Sequence, residues 1–549
     1  MKSLFMRFFI AIFAFVSLGL SAAAQSRSET FAITNAQIVT VSGPNIARGT
    51  VIIRNGLIEA VGENAKVPAD ARIIDGSGLT IYPGFFDANT SLGLAAPTVP
   101  RPVGGQQLPT TQPQSQSNSN YPDGLQPEES ATAQLKAGEA QFETNRNAGF
   151  TTVLTVSRDG VFNGQSALIN LAGDSVSEMI IRQPFAEHFS FTTLRSGQYP
   201  TALMGTFSAL RQMLLDAQRL QVNRQEYSKN PRGMKRPEAD KSLDALLLVL
   251  NRSLPIVFNA NTEMEIVRAL DMAREFNLNA IISGGQEAWR VADRLKAQKV
   301  PVLLSLNFPK RTAAASPEAD AESLDILRLR AETPKTAGRL ASAGIKFAFQ
   351  SGGMTSINDF TTNANKSVEN GLTKDAAIRA MTLSAAEIFG VDDRLGSIEK
   401  GKIANLTVSR GDVLAKDKTI THVFVDGKLF EQKEKPKTPT ATSGAQPAAT
   451  STVGGVFTIT VDIPGQPLPG TLSLTQQGEI LTGSVQTQYG TSPIKDGKVT
   501  TEGFSFTTTV NFVGSTVELA VSGRVEGSRI SGTMTSPQGA LPFSGTKTP

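Results

Sequence analysis

A chain of 549 residues exceeds one ordinary domain, and 40% hydrophobic content is enough to bury a large core, so a barrel-sized unit with a smaller module is the starting expectation. The formal charge is +4; Lys2 and Arg7 lie in a leader without acids, so the rest of the chain carries +4 − 2 = +2, a balance that gives no reason to invoke nucleic acid or an anionic membrane surface. There is no cysteine, which excludes disulfides, thiolate metal ligands and the lipidated cysteine of a lipoprotein.

Residues 1–24 join a short basic start to an apolar stretch at 8–20 and small residues at Ala22 and Ala24. This reads as a secretory signal peptide cleaved near Ala24, since the apolar stretch is shorter than the roughly 20 residues a spanning helix needs. A periplasmic or secreted protein is expected, with no membrane span after cleavage.

Residues 25–81 read as short strands, with a hairpin turn at Asn55-Gly56 between alternating apolar residues. At 82–94 the chain reads YPGFFDANTSLGL, an apolar run that ends where polar side chains begin, as at the C-terminal end of a buried strand. Residues 95–130 are rich in Pro, Gln, Ser and Thr and are expected to be a low-complexity loop at the barrel mouth, read as a surface insertion rather than a substrate lid. Between 142 and 389, strand-like runs such as TTVLTV, LPIVFNA and IKFAFQSGG alternate with helical periods, which predicts a β/α barrel over 82–390. Leu210, Met213, Leu214 and Ala217 recur at helical spacing and are expected in the core.

Strand patterns return at 391–430, a linker follows at 431–454, and 455–549 changes to Thr-, Ser- and Gly-rich strands without helical period, as in an up-and-down barrel or a sandwich. The fold class is therefore α/β: a (β/α)8 TIM-type barrel with a small β domain assembled from both flanks, plus a C-terminal all-β module.

The run Pro83-Gly84-Phe85-Phe86-Asp87, the Asn55-Gly56 hairpin and VDDRLGSIEKGKIANLTV at 391–408 together resemble the amidohydrolase superfamily, especially its exported imidazolonepropionase-like branch. The resemblance covers roughly 31–430. It implies the composite β domain, a barrel, and one or two metals that activate water to hydrolyse non-peptide C–N bonds. It also implies ligands at fixed strand ends, and five such positions here carry none: Asn89 and Ser91 where the branch has two histidines, Asn259 after the fifth strand, Gly284 beside Ser283 after the sixth, and Gly352 beside Ser351 after the eighth. The fourth-strand position has no assignment, and Asn405 stands where an aspartate is usual.

The chain holds only two histidines, His188 and His422, where a dinuclear site of this kind uses four. Asp87, Asp159, Glu263, Glu287 and Asp359 remain as carboxylates, each also explained as a cap, turn or solvated residue. The expectation is a metal-free, catalytically silent protein with no cofactor, binding a polar small molecule through Asp87, Asn89, Ser91, Asn259, Ser283 and Ser351. Its expected partners are a second copy or an intact amidohydrolase. Two rivals are an active C–N hydrolase, for which zinc is expected, and envelope or polysaccharide binding through the C-terminal module.

Overall fold

The computed structural model describes residues 30–94, 121–194, 199–311 and 322–432, and in the C-terminal part 453–461, 468–487, 490–500, 503–512, 515–536 and 539–548. The leader 1–24, residues 95–120 and residues 433–452 lie outside these. The chain divides into two units, Met1–Glu434 and Lys435–Pro549. Among the described residues no helix is long and apolar enough to cross a membrane.

Five strands come first: β1 (Phe31–Ile38), β2 (Ile46–Arg54), β3 (Leu57–Gly62), β4 (Arg72–Asp75) and β5 (Leu79–Pro83). β2 and β3 form the hairpin expected at Asn55-Gly56, whose φ values of 52° and 78° are the left-handed pair that a two-residue turn requires.

The barrel wall follows, from β6 (Phe85–Thr90), β7 (Phe150–Thr155), β8 (Phe162–Gln165), β9 (Ala167–Asn170), β10 (Ile180–Arg182), β11 (Glu187–Ser190), β12 (Ile256–Ala260), β13 (Ala280–Gly284), β14 (Val302–Ser305) and β15 (Phe347–Gln350). β6 pairs in parallel with β7, the strands from β11 to β15 pair in parallel in order, and β15 lies against β6. The third stave runs the other way. β8 and β9 lie end to end across Ser166, the first antiparallel to β11 and the second antiparallel to β7. Only residues 156–161 connect β7 to β8. A parallel crossover needs about a dozen residues or more, so this link can only turn back.

Elsewhere helices occupy the crossovers and start at ordinary caps. Thr262 and Glu265 form a capping box on the helix Glu263–Glu275, and Asp240 and Thr373 cap the helices Lys241–Leu250 and Lys374–Met381. The stripe Leu210, Met213, Leu214 and Ala217 is the buried face of the helix Leu203–Lys229. Of the stretch expected to be a loop at 95–130, the described end packs: Leu125 and Gln126 are buried, and Gln165 N–H donates to the Glu129 carbonyl at 2.7 Å. Residues 121–130 form turns and coil with no helix or strand, and their polar residues satisfy their backbone against the reversed stave.

β16 (Leu406–Arg410), β17 (Thr419–Val425) and β18 (Lys428–Glu431) then complete the first sheet in the order β18-β17-β16-β5-β1-β2-β3, with β4 beside β1. The seam is β5 against β16, where Pro83 pairs with Leu406 and Ile81 with Val408. Asn405, just before β16, donates to Thr152 Oγ1 at 3.1 Å and Asn170 Oδ1 at 2.8 Å, and accepts from the Asp426 N–H at 2.8 Å.

Inside the barrel, Phe86, Leu154, Leu168, Val257, Ile281, Leu303 and Ala348 form one buried apolar layer. Phe389, from the helix Leu383–Phe389, packs beneath it against Phe86 and Phe185 at centroid distances of 6.2 and 5.0 Å.

The C-terminal unit is a closed antiparallel barrel of eight strands paired in chain order, from Gly455–Val461 to Gly539–Lys547, with Ile459 paired to Gly545 across the closure. Phe457, Ile459, Leu472, Leu474, Leu481 and Phe543 fill its interior, so the side chains alternate core and solvent as a closed small barrel requires.

Candidate functional site

The apolar layer fixes where the polar one must lie. Successive side chains on a strand point to opposite faces, so the residue two positions after an interior one is also interior and nearer the strand's C-terminal end. Val257 leads to Asn259, Ile281 to Ser283, Leu303 to Ser305 and Ala348 to Gln350. On β11 the series is Ala186, His188, Ser190. A tier of carboxamides and hydroxyls thus covers the apolar layer at the end where barrels carry ligands.

These groups bond to one another. Asn89 donates through Nδ2 to Ser283 Oγ at 2.7 Å and to Asn259 Oδ1 at 3.4 Å. Gln350 Nε2 donates to Ser283 Oγ at 3.0 Å. Asn259 Nδ2 donates to Ser190 Oγ at 2.8 Å and to Asn163 Oδ1 at 3.0 Å, and the Ser190 hydroxyl donates to Asn163 Oδ1 at 2.6 Å. Above this net opens a cleft of about 330 Å³, which Ser305, Asn307, Asn261 and Arg158 also line. A second recess of about 530 Å³ lies against Asp87, Ser91 and Ser351, and Arg158 borders both.

The structure therefore gathers Asn89, Asn259, Ser283, Gly284 and Gly352 at one cleft and places Asp87, Ser91 and Ser351 at its neighbour. Sequence reasoning missed Asn163, Ser190, Ser305, Gln350 and Arg158. Counting two residues on from each interior apolar position finds Ser305 and Gln350. Asn163 and Arg158 have no such signal, because they come from the short link and the reversed stave.

Asp87 is fully buried; its Oδ1 accepts the Ser351 N–H at 2.8 Å and the Asn89 N–H at 3.3 Å, while Oδ2 has no partner. Burial pushes its carboxyl up to about 6, against the pull of those hydrogen bonds. His188 is buried inside the barrel, with Nε2 at 2.9 Å from Ser166 Oγ and Nδ1 unpartnered, and it does not line the cleft. Burial pushes its imidazole down to about 3. His422 lies half-buried on β17 beside Thr421 Oγ1 at 3.0 Å. The other carboxylates serve locally: Glu287 accepts from the Glu263 N–H at 2.8 Å, Asp359 pairs with Lys310 at 3.3 Å, and Asp159 lies exposed in the 156–161 link.

The metals implied by the resemblance need imidazole, carboxylate or thiolate donors, and carboxamides, hydroxyls and glycines do not fit that need. Among the described residues, no three His, Cys, Asp or Glu side chains gather in a way that could hold an ion. The two glycines are also shaped against a ligand. Gly284 has φ of 101°, and a Cβ there would lie 2.4 Å from Asn261 Oδ1. Gly352 has φ of 59°, and a Cβ there would lie 2.2 Å from Ser305 Oγ.

Comparison with known proteins agrees with this fold. The sequence model of the amidohydrolase family matches residues 321–430. An imidazolonepropionase from Phocaeicola vulgatus is 24% identical over 404 residues, covering 68% of this chain and 91% of that protein. The crystal structure of an amidohydrolase from Thermotoga maritima superimposes with a TM-score of 0.60 at 24% identity, covering 73% of this chain and all of that one. The composite sheet and the barrel thus have the fold of an amidohydrolase, and the family-model match and the imidazolonepropionase similarity support a relationship to the amidohydrolase superfamily.

Proposed function

We propose that this protein is an exported, metal-free amidohydrolase whose barrel binds a small polar molecule without hydrolysing it. The observation that carries the reading is the net joining Asn89, Ser283, Gln350, Asn259, Ser190 and Asn163, which fills strand-end positions with groups already bonded to one another. Hydrolysis of a C–N bond at neutral pH in this fold relies on a metal that lowers the pKa of water from 15.7 to about 7. No side chain at these positions is suited to hold that metal, and none is an ionised base within the cleft. Export rests on the leader alone, and the expected partner is a second copy or an intact amidohydrolase.

Elemental analysis and turnover of the mature protein test the reading together. The expected result is no stoichiometric zinc and no hydrolysis of amide, lactam or ester substrates above the buffer rate. One zinc per chain, with turnover that a chelator abolishes and added metal restores, would sink it and favour an active hydrolase.

A further inference from the structure

The carboxamides of the cleft are each held in one orientation. Gln350 Nε2 donates to the Leu303 carbonyl at 3.2 Å, Asn307 Nδ2 to the Gly352 carbonyl at 3.2 Å and Gln286 Nε2 to the Asn307 carbonyl at 3.3 Å. Asn163 Nδ2 donates to the Asp159 carbonyl at 3.0 Å, which leaves its Oδ1 to accept from Asn259 Nδ2; Asn259 Oδ1 then accepts from Asn89 Nδ2. A backbone carbonyl can only accept, so these contacts fix which end of each side-chain amide is nitrogen.

What remains unspent follows from that order. The amino groups of Asn89, Gln286, Asn307 and Gln350 are engaged by the protein, while their carbonyl oxygens accept no hydrogen bond among the described residues. None of the four oxygens is sealed from water, and all four side chains line the cleft. Such a lining calls for a ligand that brings hydrogens.

Spare donors stand between these acceptors. Ser283 Oγ accepts from Asn89 at 2.7 Å and Gln350 at 3.0 Å, which fills its lone pairs and leaves its hydrogen to donate. Ser305 Oγ accepts from the Asn307 N–H at 3.2 Å and keeps its hydrogen as well. A trans amide sends its N–H and its carbonyl to opposite sides, whereas a hydroxyl gives and takes at one atom and so fits donors set beside acceptors. The one charge in the described lining is the guanidinium of Arg158, which also borders the recess of buried Asp87 and acts on its carboxyl. A cation therefore finds no counter-charge in the cleft, and no aromatic ring there offers a face for stacking.

Resting on the binding function proposed above, we propose that the cleft takes a small neutral polyol, whose hydroxyls donate to Asn89, Gln286, Asn307 and Gln350 and accept from Ser283 and Ser305. A cavity of about 330 Å³ suits a single ring of sugar size.

Calorimetric titration of the mature full-length protein with myo-inositol, cyclohexanol and N-acetylglycinamide, all uncharged, distinguishes the ligand class from binding itself. The expected result is myo-inositol binding about tenfold tighter than either of the others, unchanged as salt is added because no charge is matched. Gln286→Met, at a half-buried position outside the net, should weaken myo-inositol about fivefold while melting stays unchanged. Tighter binding of N-acetylglycinamide, or full retention of myo-inositol affinity in folded Gln286→Met, overturns the polyol assignment and leaves polar binding standing. Cyclohexanol binding as tightly as myo-inositol, or no binding of any probe, overturns both.

Discussion

The backbone N–H of Ser351 donates to Oδ1 of Asp87 over 2.8 Å and so ties the end of the last barrel stave to the first. The contact closes the barrel at its mouth through a carboxylate that has no exposure to water. That combination gives the closure a pH dependence with a definite sign.

The Asp87 carboxyl is raised from its ordinary 3.8 to about 6. The folded state therefore holds a proton that the unfolded chain has released, and the stability from this group is fully present below about pH 4 and lost as pH rises through about 6. The loss is on the order of 3 kcal/mol, at about 1.36 kcal/mol per unit. Asp87→Asn keeps an acceptor for Ser351 and removes the titration. Urea midpoints compared between variant and unmodified protein should diverge across that window, in favour of the variant at the upper end; parallel curves would show that Asp87 does not titrate there.

His188 carries the opposite sign. Its folded value lies near 3, below the ordinary 6.5, so its contribution is fully present above about pH 6.5 and declines as pH falls toward 3. The decline reaches about 3 kcal/mol by about pH 4.5. His188→Gln should therefore gain on the unmodified protein in acid, measured as a smaller fall in denaturation midpoint between about pH 6.5 and 4.5. A fall of the same size in both proteins would contradict the assignment.

Asn405 stands where the resemblance to the amidohydrolase superfamily implies an aspartate, and its hydrogen bonds call for a carboxamide. It donates to Thr152 Oγ1 and Asn170 Oδ1 while accepting from the Asp426 N–H. An aspartate keeps only the last of these and sets a buried charge beside Asn170 Oδ1 and near Asp426, whose carboxyl desolvation already pushes up. Asn405→Asp should cost about 2–4 kcal/mol of stability by thermal or chemical unfolding. A loss within a few tenths of that of an exposed control substitution would show that the seam tolerates the charge.

Rebuilding a metal site by partial replacement should fail. Asn89→His with Ser91→His supplies two imidazoles at most, and Ser91 borders the neighbouring recess rather than the cleft. No stoichiometric zinc is expected from elemental analysis of the double variant. Adding Gly284→His should lower the melting temperature further, because φ of 101° costs a non-glycine residue on the order of 1–3 kcal/mol. Tight zinc binding by the double variant would mean that other donors reach the cleft.

Most of the architecture is legible in the residues. Asn55-Gly56 specifies its hairpin through local dihedral demands, and the paired segments at either flank of the barrel meet at β5 and β16. Asn89, Asn259 and Ser283 come together because strand ends of a parallel barrel share one face. What was not legible follows from direction. Alternation of side chains reveals a strand but not which way it runs, so nothing in FNGQSALIN tells that this stave is reversed, or that Asn163 reaches the mouth from its start. Ser190 gave no signal because an ordinary serine replaces whatever ligand type would mark a fourth-strand end. The buried end of the 95–130 stretch was hidden for a related reason: its partners are backbone groups, which composition does not report.

The reversed stave also bears on exchange kinetics. Residues 156–161 are anchored at both ends in the barrel wall, so Arg158 is carried on a short link rather than on a lid. A cleft-lining side chain on a link so short has little loop freedom to lose when a polar ligand arrives, and a preorganised contact of this kind acts mainly by slowing departure. Lengthening the link by a few glycines would therefore shorten the residence time of a ligand bound in the cleft while leaving its rate of arrival nearly as it was.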